Sequence, residues 1–244
     1  RCLEEVFAMR IRIKFSKHGN MKFIGHLDIM RYFQKAIRRA EIDIVYSEGF
    51  SPHQKISFAA PLGVGLLSEG EYMDIEVHTS KPSQEMIKAL NAVMAEGIEI
   101  ISYKLLPENS KNAMSLVAAA DYMLQFCETY KPEDFKSFQQ TFLEFINQPE
   151  LRIIKKTKKG EHALDLKPLL YTAKIQGENI FLCISTGSSD NIKPELVMET
   201  YYHYIGQVMP KFAFQVTRLE VYANMGNNEE RKLVPLESFG KDIV

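Results

Sequence analysis

The chain has 244 residues and 45% hydrophobic content, enough to bury one large core or two small ones. Its three cysteines, Cys2, Cys127 and Cys183, are far apart and form no C-x-x-C pair for a zinc or iron–sulfur site, so no metal and no cofactor is expected. No apolar run reaches the roughly 18 residues that cross a bilayer and no signal-peptide pattern opens the chain, so a cytoplasmic protein without a membrane partner is predicted.

The formal net charge of -1 argues against a uniformly basic partner for nucleic acid, but the charge is uneven. Residues 9–67 hold ten Lys or Arg against four acids, and residues 150–176 hold seven against three. Such asymmetry permits a basic face on a neutral protein.

Residues 1–8 precede Met9, which reads as a start, and stand outside the fold expectation. From Met9 the alternation Arg10-Ile11-Arg12-Ile13-Lys14-Phe15 has the period of a half-buried strand. Over residues 26–40, Leu27, Met30, Phe33, Ile37 and Ala40 recur at helical spacing, with Asp28, Arg31, Lys35 and Arg38 on the opposite face. Short β segments at 43–46 and 55–59 follow, then a longer one at 72–78. A helix over 84–95 opens near Pro82, where a missing N–H costs little, and a strand at 98–105 completes β-α-β-β-α-β.

The same order repeats. Strands are predicted at 121–127 and 151–157, with a helix over 132–146 between them. A hairpin spans 171–184 and turns at Gln176-Gly177-Glu178-Asn179, followed by a helix over 194–205 and a strand over 212–222. Cys127 and Cys183 fall on strands as core residues. Two copies of one plan imply an α+β fold of two tandem ferredoxin-like (βαββαβ) halves, 9–106 and 114–223, packed together. Residues 107–113 are the linker, and 224–244 read as a loosely ordered tail.

Chemistry concentrates in Phe23-Ile24-Gly25-His26-Leu27-Asp28 and in the loop Tyr46-Ser47-Glu48-Gly49-Phe50-Ser51-Pro52-His53-Gln54-Lys55. Two helical positions two apart do not face one way, so His26 and Asp28 make a poor metal pair. His26 otherwise reads as a helix-start residue bonded to backbone. His26, Tyr46, His53 and Lys55 are the catalytic candidates for phosphodiester cleavage, which needs no metal when a ribose 2′-OH attacks. The loop is predicted to run back along the sheet, bring His53 within about 10 Å of His26 and anchor Phe50 in the core. Arg31, Lys35, Arg38 and Arg39 on the first helix are candidate phosphate contacts. So are Lys155, Lys156, Lys158 and Lys159 at a hairpin tip; solvated charge is the plainer reading of both groups. Gly63-Val64-Gly65 lacks a following Lys-Ser/Thr and reads as a strand connection, and Asp165-Leu166-Lys167-Pro168 reads as a corner.

Phe23-Ile24-Gly25-His26-Leu27-Asp28, then Lys35-Ala36-Ile37-Arg38-Arg39-Ala40, Tyr46-Ser47-Glu48-Gly49-Phe50-Ser51-Pro52-His53 and Ser68-Glu69-Gly70-Glu71-Tyr72 together resemble the bacterial radical-SAM-associated (radical-SAM-linked) proteins of unknown function. The corner at Asp165 resembles that family's second half. The resemblance implies a separate radical SAM partner with a B12-binding-type domain and an RNA-linked setting, but no reaction. The chain has no C-x-x-x-C-x-x-C of its own. The fold plan also resembles the CRISPR-RNA-processing endonucleases. The expectation is therefore a non-catalytic RNA-binding accessory protein, in RNA modification or ribosome-related metabolism. A metal-independent endoribonuclease and a protein–protein scaffold are the alternatives.

Overall fold

A computed structural model describes residues 8–157, 160–187, 191–227 and 230–244. The fold is mixed α/β, with five α-helices among the described residues. The chain forms two compact units, residues 1–117 together with 220–244, and residues 118–219.

The first unit runs β1 (Met9–Lys17), α1 (His26–Arg39), β2 (Ile56–Phe58), β3 (Leu67–Val77), α2 (Ser83–Asn91), β4 (Ile98–Leu105) and a single turn α3 (Ala113–Leu116). Strand β1 lies between β4 and β3, antiparallel to both, and β2 pairs antiparallel with β3. The period-two pattern of β1 divides its side chains between two environments. Ile11, Ile13 and Phe15 enter a core closed by Ile29, Phe33 and Ile37 of α1 and by Met86 and Leu90 of α2. On the other face Arg12 sits opposite Asp74 and Lys14 opposite Tyr72. That face is buried as well: Arg12 has no exposed surface.

An unpaired buried guanidinium is costly, and Arg12 is fully engaged. Its Nε and Nη2 donate to the two carboxylate oxygens of Asp74 at 2.8 and 2.9 Å, and its remaining N–H groups reach the carbonyls of Leu236 and Lys111. Asp74 also accepts from the backbone N–H of Ala113 at 2.7 Å. One buried pair thus ties β1, β3, the segment after β4 and the C-terminal segment.

The second unit runs β5 (Val117–Phe126), α4 (Phe135–Ile146), β6 (Arg152–Thr157), β7 (Gly160–Asp165), β8 (Leu170–Gln176), β9 (Asn179–Ser185), α5 (Pro194–Tyr204) and β10 (Phe214–Asn224). Residues 220–224 of β10 belong to the first unit. Asp134 caps α4, accepting from the N–H groups of Lys136 and Ser137, which places Phe138, Phe142 and Phe145 on the buried face. These rings surround Tyr201 of α5 at centroid distances of 5.4–5.6 Å, and the Tyr201 hydroxyl is 2.8 Å from Thr141 Oγ1. Asp165 holds the corner after β7 by accepting from the N–H groups of Leu151 and Lys167.

The structure differs from the sequence expectation in several places. Residues 43–46 form isolated bridges, Ile44 to Val77 and Tyr46 to Gln54, because the chain turns away into a loop before a strand can extend. Strand β3 begins at Leu67, its polar opening hidden by burial of Ser68 and Glu71. Helix α2 stops at Asn91, short of the expected residue 95, and Cys127 lies just past the end of β5 and not on a strand. The expected hairpin has β7 as its second strand, paired antiparallel with β6. The expected loose tail instead forms β11 (Leu233–Pro235), which pairs with β10, and a 3-10 turn. Buried Leu236 anchors it, and the Lys241 backbone exchanges hydrogen bonds with Leu105. Residues 220–244 accordingly lie with the first unit and not with the second half or beyond it.

Candidate nucleic-acid interface

The charge of residues 9–67 resolves into two populations. Those on β1 are consumed internally. Besides Arg12, Lys14 bonds Glu220 at 2.6 Å and Glu237 at 2.8 Å, and the Tyr72 hydroxyl donates to Glu220 at 2.7 Å. Burial alone would lower the Lys14 ammonium, but the hydrogen bonds and charges of Glu220 and Glu237 outweigh it and hold its pKa above the ordinary value. Burial first, and Glu220 second, push Tyr72 far above the ordinary tyrosine range, so it remains a neutral donor.

The bases of α1 are arranged differently. Ile29, Phe33, Ala36 and Ile37 bury one face of the helix, and Arg31, Lys35, Arg38 and Arg39 are exposed. Asp28 in the first turn and Arg38 and Arg39 in the last complement the helix dipole. The spacing i, i+4, i+7 sets Arg31, Lys35 and Arg38 in one ridge about 10 Å long at 1.5 Å per residue. Arg31 is 3.5 Å from Asp28, and Arg39 donates to the carbonyl of Val93. Among the described residues, no ion pair or side-chain hydrogen bond engages Lys35 or Arg38.

The loop after α1 is fastened to this helix. Gln54 is buried and donates through Nε2 to the carbonyl of Gln34, in the same turn of α1 as Arg31 and Lys35, and to the Tyr46 hydroxyl at 3.4 Å. Ser47 and His53 close the loop: the Ser47 N–H donates to the His53 carbonyl at 2.8 Å, and Ser47 Oγ is 2.8 Å from His53 Nδ1. Gly49 has φ +107°, a conformation other residues rarely adopt, and turns the tip outward. Phe50 at that tip is fully exposed, and Tyr46 is 46% exposed. The expected anchoring of Phe50 in the core is therefore wrong: the Ser47–His53 clamp spends the loop's polar groups on itself and leaves the ring outside.

His26 lies elsewhere. Its ring meets Phe58 edge-on at 5.4 Å and lines a cavity of about 20 Å³, room for roughly one water, with Lys17, Ile24 and Glu71. Lys17, nearly fully buried, donates to the Ile24 carbonyl at 3.0 Å, and Ser68 donates to Glu71 at 2.6 Å. His53 is not among the residues lining this cavity. The loop that carries it reaches α1 at Gln34, eight residues or about 12 Å of helix beyond His26. Lys55 bonds Glu76 at 2.7 Å. The four catalytic candidates have different side-chain partners: His26 meets Phe58 at the cavity, Tyr46 bonds Gln54, His53 bonds Ser47 and Lys55 pairs with Glu76. The grouping of Lys17 and Glu71 with His26 escaped sequence reasoning, since β1–β3 pairing brings the first two together and the start of α1 adds His26 by packing on Phe58; Glu71 within Ser68-Glu69-Gly70-Glu71-Tyr72 was the available signal.

No group of three or more His, Cys, Asp or Glu that could hold a metal ion occurs among the described residues, and no helix is long and apolar enough to cross a membrane. Lys158 and Lys159 lie outside the described residues, as do the side chains of Lys155 and Lys156.

The motifs around α1, the exposed loop and the opening of β3 all fall within residues 10–194, which match one family model, described as an uncharacterized protein conserved in bacteria (DUF2344). The chain belongs to that family. No curated protein matches it.

Proposed function

We propose that the protein is a non-catalytic RNA-binding accessory factor whose contact with RNA phosphates is made by the α1 ridge. The observation that carries this reading is that Lys35 and Arg38 have no side-chain partner among the described residues and stand exposed in line with Arg31, while Arg12 and Lys14 of β1 are paired with carboxylates. Cations left unneutralised on one helix face release counterions when phosphate replaces solvent, which yields affinity without sequence preference. That His26, Tyr46, His53 and Lys55 each engage a different partner supports binding over cleavage.

Partnership with a separate radical SAM enzyme of the B12-binding type, and a place in RNA modification or ribosome-related metabolism in the cytoplasm, rest on the sequence resemblance. Tandem ferredoxin-like halves belong to the same reading. Its support is the element order of the first unit, with β4-β1-β3 and β2 on the far edge of β3, and the order β10-β5-β9-β8 in the second, where β6–β7 is an inserted hairpin.

Filter binding of tRNA and rRNA fragments at low salt tests the proposal. Lys35→Glu with Arg38→Glu is expected to abolish retention with the fold intact by circular dichroism; undiminished retention would overturn it. A pull-down with the radical SAM protein, with and without ribonuclease treatment, separates direct contact from RNA bridging.

A further inference from the structure

We infer that the loop at residues 46–53 is a stacking platform for unpaired bases, so the RNA taken by the α1 ridge is single-stranded. The inference rests on the ridge reading and adds the class of RNA. A fully exposed phenylalanine on a clamped turn is the feature that needs an explanation. Phe50 contributes no surface to the core, yet its backbone is held by the Ser47–His53 bonds and by the left-handed Gly49, so the ring is presented on a short, closed turn. Tyr46 stands at the base of the same loop, its hydroxyl fixed by Gln54 and its ring partly exposed.

The occupant follows from charge. Gln54 bonds the Gln34 carbonyl and thereby fastens this loop to the middle of α1, in the turn that also carries Arg31 and Lys35. A ligand that touches both must offer anions at regular intervals on one side and flat apolar faces on the other. A single-stranded nucleic acid does so, with phosphates toward Arg31, Lys35 and Arg38 and bases against Phe50 and Tyr46; a duplex presents phosphates but keeps its base faces stacked internally. Stacking of this kind tolerates any base, because every base has an apolar face.

The chain contains no tryptophan, so Phe50→Trp introduces a single indole at the tip that can be excited apart from the tyrosines. Adding an eight-residue oligouridylate or oligoadenylate at low salt is expected to quench it, whereas a blunt-ended RNA duplex leaves it unchanged. Phe50→Ala is expected to weaken oligonucleotide affinity at least about five-fold while leaving the salt slope as in the wild type, because it removes a stack and no phosphate contact. If oligonucleotide binds with a slope that depends on Lys35 and Arg38 but Phe50→Trp is not quenched, or the blunt-ended duplex quenches it equally, the platform is refuted and the ridge stands. If neither RNA binds, both fall. Emission that responds to the radical SAM protein and to neither RNA would make the loop a protein-docking element and also refute the platform.

Discussion

Strand β1 and helix α1 carry similar numbers of bases within one short stretch of chain, and they put them to opposite uses. On β1, Arg12 and Lys14 face a buried sheet surface and each is met by carboxylates, Asp74 for the first and Glu220 and Glu237 for the second. On α1, Arg31, Lys35 and Arg38 face solvent, and no carboxylate engages the last two among the described residues. Counting charge along the sequence merges the two groups. Separating them shows that, of these bases, the two without a side-chain partner among the described residues, Lys35 and Arg38, are on the helix and not on the strand.

Breaking the β1 side should give the largest effect. Asp74→Ala leaves the Arg12 guanidinium buried without its bidentate partner and removes the acceptor for the Ala113 N–H, so a loss of about 3–5 kcal/mol in urea unfolding is expected. A loss below 1 kcal/mol would mean that water reaches this pair.

Lys14→Met comes next, with an expected loss of about 1–3 kcal/mol at neutral pH from the charged hydrogen bonds to Glu220 and Glu237. It also carries a pH signature. The folded state holds the Lys14 ammonium above its ordinary 10.5 and Tyr72 well above its ordinary 10.0. Their stabilisation is therefore complete below about pH 10 and fades as the pH rises through the folded values, because the unfolded chain releases these protons first. Wild-type stability should fall from about pH 10 upward, and the fall should be shallower in Lys14→Met. Equal steepness in the two proteins would remove Lys14 from the account.

On the α1 side the stability effects should be the smallest. Arg31→Gln, Lys35→Gln and Arg38→Gln touch exposed side chains, and each is expected to shift unfolding by no more than about 0.5 kcal/mol. Larger losses would show that these cations hold the fold. At the loop tip, Glu48→Gln removes the loop's sole acid and is expected to tighten RNA binding about two-fold at low salt, an effect that titration by fluorescence anisotropy resolves.

How much of this was legible in the sequence follows from the range of each interaction. The spacing of Phe33 and Ile37 announces α1 and its exposed face, and Pro132-Glu133-Asp134 announces the start of α4, because both signals are local. The fate of Arg12 and Lys14 was hidden: their partners lie 62 and 206 residues away and meet them only through strand register and the return of the C-terminal segment. The tail was misread for the same reason. Asn224, Gly226 and Asn227 mark a turn, while the residues that anchor it, Leu233 and Leu236, pack where the sequence does not say. The loop was read as a functional candidate from its polar content, yet its direction depends on the Gln54–Gln34 bond and the Ser47–His53 clamp, neither of which the sequence announces.

The most direct test of the account is the salt dependence of affinity for a single-stranded RNA, measured for the wild type and for the variant with Arg31, Lys35 and Arg38 all changed to Gln. A single strand contributes a slope of about -0.7 in log affinity against log salt for each phosphate contact. The three ridge cations should therefore account for about -2 of the wild-type slope, and the variant should lose that share along with most of its affinity. A variant that keeps the wild-type slope would contradict the assignment of α1 as the phosphate-binding face.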